Sequence, residues 1–329
     1  MKAEWSYKGF VDEPIPDDID VKSEIRKLCK EKNAIILAHY YTEGGIQDIA
    51  DYVGDSLGLA RVAAGTDADI IVMCGVHFMA ETNKILCPNK KILLPDLNAD
   101  CSLARSCQAD DFEAFVKRHP DHTVLSYVNT SAAIKTLTDV VVTSGNAKQI
   151  VESFPKETKL IFGPDYNLGR YINSITGREM LLWDGGCHVH ERFSVSELKR
   201  LKESHPDAPV LAHPECKKEI LDLADVIGST AALLKFVSKS DKKAFIIVTE
   251  SGILHQMKKA SPDKEFITAP SDENPCACNE CDYMRLNTLN KLYNTLKFEC
   301  PEVTLPADVI EQAIKPIQRM LEISDRLGL

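Results

Sequence analysis

The sequence predicts an α/β protein: three similar α/β/α sandwich domains, each on a four-stranded parallel sheet, in a pseudo-threefold arrangement around a central site. Three observations carry this. Short runs rich in β-branched residues alternate with helix-length amphipathic segments from residue 34 to about 270, the pattern of βα units. The runs group in fours, and a cysteine follows the fourth run of each group. Polar residues recur at strand ends with a period of about 87, too long for a solenoid repeat and long enough for four βα units.

The first group reads "AIILAHY" (34–40), "DYVGDS" (51–56), "DIIVMCGV" (69–76) and "KILLPD" (91–96). The second reads "TVLSYVN" (123–129), "DVVVTSGN" (139–146), "KLIFGPD" (159–165) and "EMLLWDG" (179–185). The third reads "PVLAHPE" (209–215), "ADVIGST" (224–230), "AFIIVTESG" (244–252) and "EFITAP" (265–270). His39, Tyr127 and His213 end the first strand of each group, 88 and 86 positions apart, and Ser56, Ser144 and Ser229 end the second, 88 and 85 apart. The expected domains are 22–105, 106–191 and 192–281, after an N-terminal arm at 1–21. A tail at 282–329 supplies packing helices: one over "YMRLNTLNKLYNTLK" (283–297), and one after Pro306 with a kink at Pro316.

Of 329 residues, 44% are hydrophobic and 27% charged, the balance of an ordinary globular protein rather than a disordered or fibrous one. No apolar run approaches the roughly 18 residues of a membrane span. A net charge of −10 without a long Lys/Arg run argues against nucleic acid as partner. The first 20 residues are acidic and proline-bearing with no apolar stretch, so we expect a loosely structured arm and a cytoplasmic protein.

Eleven cysteines in a reducing compartment point to metal or thiol chemistry rather than disulfides. Cys29, Cys74, Cys87, Cys216 and Cys300 lie in or beside helical and strand-like patterns, where cysteine acts as a small hydrophobe. The remaining motifs are Cys101 in "NADCSLARSC", Cys187 in "WDGGCHVH" and the cluster Cys276, Cys278 and Cys281 in "NPCACNEC". A structural zinc site usually offers two local pairs, and a knuckle at 276–281 would need a distant fourth ligand such as His255 or Cys300. One thiolate from each repeat suits a 4Fe-4S cluster with one iron left open. An open iron acts as a Lewis acid on a substrate oxygen, so this pattern favours catalysis over electron transfer.

The strand ends fit a small anionic substrate. His39, Tyr40, Tyr41, Tyr127, His213 and Glu215 can relay protons, and Asn129, Ser56, Ser144 and Thr230 can donate to carboxylate or phosphate oxygens. Helix N-termini after "GDS", "TSGN" and "GST" add oriented N–H groups, although Ser56, Ser144 and Ser229 could equally be helix caps. Gly185 and Gly186 leave room for close backbone approach before Cys187. His188 and His190 flank that cysteine, and His190 is expected to hydrogen-bond around the metal ligands rather than bind metal. In "HFMAETNKIL", Met79 is expected in the core and Glu81 at the surface.

Together "ILAHYY", "QDIADYVGDSL", "FMAETNKIL", "YVNTSAAIKTL", "TSGNA", "IFGPDYNLGRYI", "HPEC" and "VGST" resemble the quinolinate synthase family, in order over residues 22 to 325. The resemblance implies one 4Fe-4S cluster per chain, at the centre of the pseudo-threefold, on Cys101, Cys187 and Cys281. Cys281 is chosen because "CDYMRLNTL" matches the family's pattern, while Cys276 or Cys278 could substitute. It implies condensation of iminoaspartate with dihydroxyacetone phosphate to quinolinate, losing phosphate and water, for NAD biosynthesis, with a functional link to the enzyme that supplies iminoaspartate. Substrate contacts would be His39, Ser56, Tyr127, Val128, Asn129, Ser144, His213, Pro214, Glu215 and Thr230. Tyr41 and Glu215 would be the acid/base pair, with Tyr127 and His213 beside them in catalysis. The trefoil iron–sulfur reductase of isoprenoid synthesis also combines three cysteines with an open iron, but "AHYY", "YVN" and "HPE" do not match it. A zinc- or cluster-bearing carrier would leave those strand-end residues without a role.

Overall fold

The structure, a computed structural model, describes residues 5–272 and 279–329. Twelve strands among them form three four-stranded sheets in which every pairing is parallel. The first sheet contains β1 (Ala34–His39), β2 (Tyr52–Gly54), β3 (Ile70–Cys74) and β4 (Lys91–Leu93) in the order β2-β1-β3-β4. The second contains β5 (Thr123–Tyr127), β6 (Val140–Val142), β7 (Leu160–Gly163) and β8 (Leu181–Leu182), ordered β6-β5-β7-β8. The third contains β9 (Val210–Ala212), β10 (Val226–Ile227), β11 (Ala244–Val248) and β12 (Glu265–Thr268), ordered β10-β9-β11-β12. One topology is therefore used three times.

The cause is visible in the central strands. Every residue of Ile70–Cys74 is buried, which requires cover on both faces of the sheet and explains the unbroken apolar run. On the edges, β8 and β10 keep only two residues each of the longer runs that suggested them. A repeated device also sets the register. Asp51, Asp139 and Asp225 each accept, through the carboxylate, an N–H of the neighbouring first strand, from Ile36 at 2.7 Å, Val124 at 2.8 Å and Val210 at 2.8 Å. Each returns its own N–H to the carbonyl of that same residue at 2.9 Å. A register slip would break both bonds.

The chain divides into two compact units, Met1–Cys101 with Asp282–Ile314, and Ser102–Cys281 with Lys315–Leu329. The first unit holds the first sheet. Its core packs Ile36, Ala38 and Val72 against Ile25 and Cys29 of the helix Val21–Glu31 and Leu292 and Leu296 of the helix Leu289–Phe298. The second unit holds the other two sheets, with cores around Phe112, Val124 and Ile161, and around Leu198, Val210 and Ile246.

Several expectations need correcting. Residues 9–13 of the N-terminal arm are tied down, not loose: Leu97 N donates to Gly9 O at 2.7 Å, and Asn294 Nδ2 to Val11 O and Glu13 O at 3.3 and 2.8 Å. Lys291 Nζ lies 4.2 Å from the centre of the Phe10 ring. Glu81 is buried rather than at the surface, because Phe78 to Asn83 are all covered and His77 Nδ1 lies 3.7 Å from its carboxylate. The segment 283–297 is not one helix. A short 3-10 turn, Met284–Leu286, ends at Asn287, and the helix restarts at Leu289 where the Thr288 hydroxyl accepts from Lys291 N. The last helix, Ala307–Leu327, starts after Pro306 as expected and carries Pro316 inside it. No described helix is long and apolar enough to cross a membrane.

Candidate functional site

In open parallel sheets, ligands bind beyond the carboxyl ends of the strands, because loops and helix N-termini gather there. The polar residues singled out in the sequence lie at those ends. In the second unit, Tyr127 closes β5, His213 follows β9, and Glu215 lies two residues further on. These loops meet. Tyr127 Oη donates to Glu215 Oε1 at 2.6 Å, and His190 Nδ1 lies 2.9 Å from Glu215 Oε2. His190 Nε2 is 3.0 Å from Thr249 Oγ1, His213 Nε2 is 3.3 Å from Ser144 Oγ, and the two imidazoles stack with centroids 4.7 Å apart. Tyr127, His190, His213 and Glu215 are all at least 95% buried, so this is a polar network sealed from bulk water.

Its electrostatics keep Glu215 ionised. Burial pushes the carboxyl up, but the adjacent His213 and His190 imidazoles and the hydrogen bond from Tyr127 outweigh it and bring it down to about 2. Burial and the adjacent Glu215 charge push the Tyr127 phenol well above its usual range, so it stays a donor. Asp165, fully buried, goes the other way: burial first and the Glu215 charge second push its carboxyl well up. The two carboxyl groups are thus shifted in opposite directions within one unit, the kind of division that acid/base sites use. Because folding lowers the Glu215 value, its stabilising contribution is complete above about pH 4.5 and lost as pH falls towards 2. We expect the denaturation midpoint of Glu215→Gln to fall less steeply than that of the parent across this window, measured by chemical unfolding at stepped pH.

Thr230 is the first residue of the helix Thr230–Lys239, and Ser229 caps it by accepting from Ala232 N at 3.3 Å. Ser144 caps nothing, since Asn146 precedes the next helix, and its hydroxyl faces His213 instead. Val128 and Pro214 are buried beside Tyr127 and His213. Asn129 has a buried Oδ1 with no hydrogen-bond partner among the described residues, an acceptor suited to a ligand. In the first unit, His39 closes β1, Tyr41 follows it with ring centroids 4.5 Å apart, and Ser56 begins the helix Ser56–Gly65 capped by Asp55.

The thiols separate into two classes. Cys29, Cys74, Cys87, Cys107 and Cys216 are buried, and desolvation raises all of them, Cys29 and Cys107 to about 12. Cys101, Cys187 and Cys281 are half-buried. Cys300 is half-buried too, but burial raises it. Sγ of Cys187 lies within 4.8 Å of ligand atoms of both His190 and Glu215, a group able to hold a metal ion. The donor chemistry of Cys101, Cys187 and Cys281 fits a soft, thiolate-bound metal group, whereas the buried set does not. Cys276 and Cys278 lie outside the described residues.

The model of the quinolinate synthetase A protein family matches residues 23–322. The chain belongs to that family. It is similar to the quinolinate synthases of Synechocystis sp. (58% identical over 305 residues, 93% of this chain and 96% of the relative) and Chloroherpeton thalassium (58% over 306 residues, 93% and 95%). That of Thermosynechococcus vestitus is 55% identical over 311 residues, 94% and 97% of the two chains.

Some residues packed around these loops carried no sequence signal strong enough to find. Glu250, fully buried, accepts from Gly252 N at 2.6 Å and Cys281 N at 3.1 Å, so it fixes the backbone at Cys281; in the sequence it sits unremarked at the end of the strand-like run "AFIIVTESG". Ser102, next to Cys101, lies 2.6 Å from His188 Nδ1 through its hydroxyl. The glycines before Cys187 do allow close approach. A Cβ on Gly185 would meet the Ser106 hydroxyl and sit 2.6 Å from the Pro164 carbonyl, and one on Gly186 would sit 2.6 Å from the Glu191 carboxylate. The Pro164 contact is backbone, so Gly185→Ala should destabilise the chain by about 1–3 kcal/mol. Chemical denaturation measures this.

Proposed function

We propose that the chain is a quinolinate synthase, condensing iminoaspartate with dihydroxyacetone phosphate to quinolinate with loss of phosphate and water, in de novo NAD biosynthesis. The observation that carries this reading is the sealed Glu215, Tyr127, His190 and His213 network, with Cys187 beside it, in a chain of this family. The reading divides the body into domains 22–105, 106–191 and 192–281, related by a pseudo-threefold. Cys101, Cys187 and Cys281 would hold one 4Fe-4S cluster, each domain supplying one thiolate. When bound, the cluster supplies a Lewis-acidic iron that polarises an oxygen of the substrate.

The chain's own residues bind and move protons. Glu215, ionised and fixed by Tyr127 and His190, accepts a proton from the substrate carbon that forms the new bond; Tyr41 returns one to the leaving oxygen. Tyr127 and His213 hold that carboxylate and the substrate in register. His213 Nε2, Ser144 and Asn129 face the dicarboxylate, with Val128 contributing through its backbone and Pro214 fixing the turn between His213 and Glu215. Ser56 and Thr230 each open a helix, so their hydroxyls sit beside N–H groups that favour anions, and His39 adds a donor. His190 supports the carboxylate and stays out of the ligand set. The protein works in the cytoplasm, beside the enzyme that supplies iminoaspartate, with neither nucleic acid nor membrane as partner. The test is direct: reconstituted protein supplied with iminoaspartate and dihydroxyacetone phosphate should form quinolinate and phosphate in equal amounts, and no product would overturn the reading.

A further inference from the structure

Lys135 is a fully buried lysine. It lies on the short helix Ala132–Thr136, and its Nζ donates to the Val128 carbonyl at 3.0 Å, to the Thr130 carbonyl, and to Thr130 Oγ1 at 3.4 Å. An ammonium has three donors, and these are three oxygens of a single loop, the one that follows Tyr127. A buried charge is costly unless its hydrogen bonds are made, so the loop's shape and the lysine's burial depend on each other.

The first repeat contains the same device in neutral form. Gln47, also buried, donates through Nε2 to the carbonyls of Tyr40 and Thr42, each at 2.8 Å. Gln47, Tyr40 and Thr42 stand 88 positions before Lys135, Val128 and Thr130, the period of the repeat. The threonines also match: Thr42 Oγ1 donates to the His39 carbonyl at 2.9 Å, and Thr130 Oγ1 to the Tyr127 carbonyl at 3.1 Å. In both loops a buried donor holds the carbonyls on either side of one residue, Tyr41 in the first and Asn129 in the second. Because the peptide is planar and trans, a carbonyl turned towards the anchor aims the next N–H the opposite way. In the first loop that N–H, of Tyr41, donates to His39 Nδ1 at 3.2 Å, which leaves Nε2 of His39 to carry the ring proton.

The third repeat reaches the same loop differently. Glu215 occupies the equivalent middle position, and its backbone N lies 3.4 Å from His213 Nδ1. The position matching the anchor is Leu221, an apolar residue, and the position matching Tyr40 and Val128 is Pro214, whose ring fixes φ.

We propose that Gln47 and Lys135 are positioning residues which, from equivalent places in two repeats, hold the strand-end loops so that Tyr41 and Asn129 are presented at the site, as Pro214 does for Glu215. This rests on the quinolinate synthase reading, and the test separates the two. Lys135→Met, Lys135→Gln and Gln47→Leu are made in the full chain and reconstituted anaerobically. Thermal midpoint, quinolinate affinity by calorimetry, kcat and KM are then compared with the parent. Lys135→Met should keep a midpoint within a few degrees of the parent, raise KM and the quinolinate Kd about tenfold, and lower kcat/KM by about 100-fold, the scale of an ångström-sized misplacement. Lys135→Gln, which installs the first repeat's solution, should recover most of that loss, and Gln47→Leu should lower kcat/KM as Lys135→Met does. The anchor role is overturned if Lys135→Met matches the parent, if Lys135→Gln is as impaired as Lys135→Met, or, should Lys135→Met fail to fold, if Gln47→Leu matches the parent. A parent that neither binds nor forms quinolinate overturns the functional reading, and the anchor role with it.

Discussion

Glu215→Gln should lower kcat for quinolinate formation by about 10³-fold while leaving the chain folded, because it removes the base and little else. Glutamine has the volume of glutamate, and its amide can still meet the Tyr127 hydroxyl and the His190 ring that now hold the carboxylate at 2.6 and 2.9 Å. What it cannot do is accept a proton. The low position of the Glu215 carboxyl means that the base is fully ionised at neutral pH, so raising the pH should not rescue the parent or the variant. Tyr127→Phe should be milder, since it removes one hydrogen bond to the carboxylate and leaves the base. Steady-state rates with both substrates check the pair. Equal rates for Glu215→Gln and the parent would remove Glu215 from the chemistry.

Cys187→Ser should lose both iron and activity. Cys187 precedes the short helix His188–Glu191, half-buried and within 4.8 Å of ligand atoms of His190 and Glu215, so its thiolate would bring a bound metal group to the edge of the proton-handling network. Serine preserves the shape but offers a hard oxygen that binds iron poorly in place of a soft thiolate. Cys216→Ser makes the contrast. That thiol is fully buried, and desolvation holds it protonated, so its replacement should alter stability and leave the iron content intact. Iron and sulfide analysis of the two variants after identical reconstitution decides between them.

The fold was legible where burial on both faces imposed continuous apolar strands, as in "DIIVMC", and where three copies of one pattern reinforced each other. It was less legible at the edges. There β8 and β10 shrink to two residues, and the tail pattern at 283–297 concealed a break at Asn287, whose side chain donates to the Gly75 and Met284 carbonyls. Site residues ending a strand could be named because chain position alone places them on the carboxyl edge. Gln47 and Lys135 could not, since polar residues in helical stretches read as solvated until tertiary packing buries them around a loop, and Glu250 sat at the end of a strand-like run with nothing to mark it. Glu81 was misplaced for the same reason. The three aspartates that lock the second strand of each repeat to the first were present in "DYVGDS", "DVVVTSGN" and "ADVIGST" at the repeat spacing, yet a surface aspartate before a strand announces no partner.

The most direct test of the central claim, a catalytic iron–sulfur centre on three separated thiolates, is anaerobic reconstitution of the full chain followed by iron and sulfide analysis and electron paramagnetic resonance with and without quinolinate. About four irons per chain and a reduced-state signal that changes when quinolinate is added are the expected result. Stoichiometric zinc with no cluster, or a cluster signal indifferent to quinolinate, would contradict that claim.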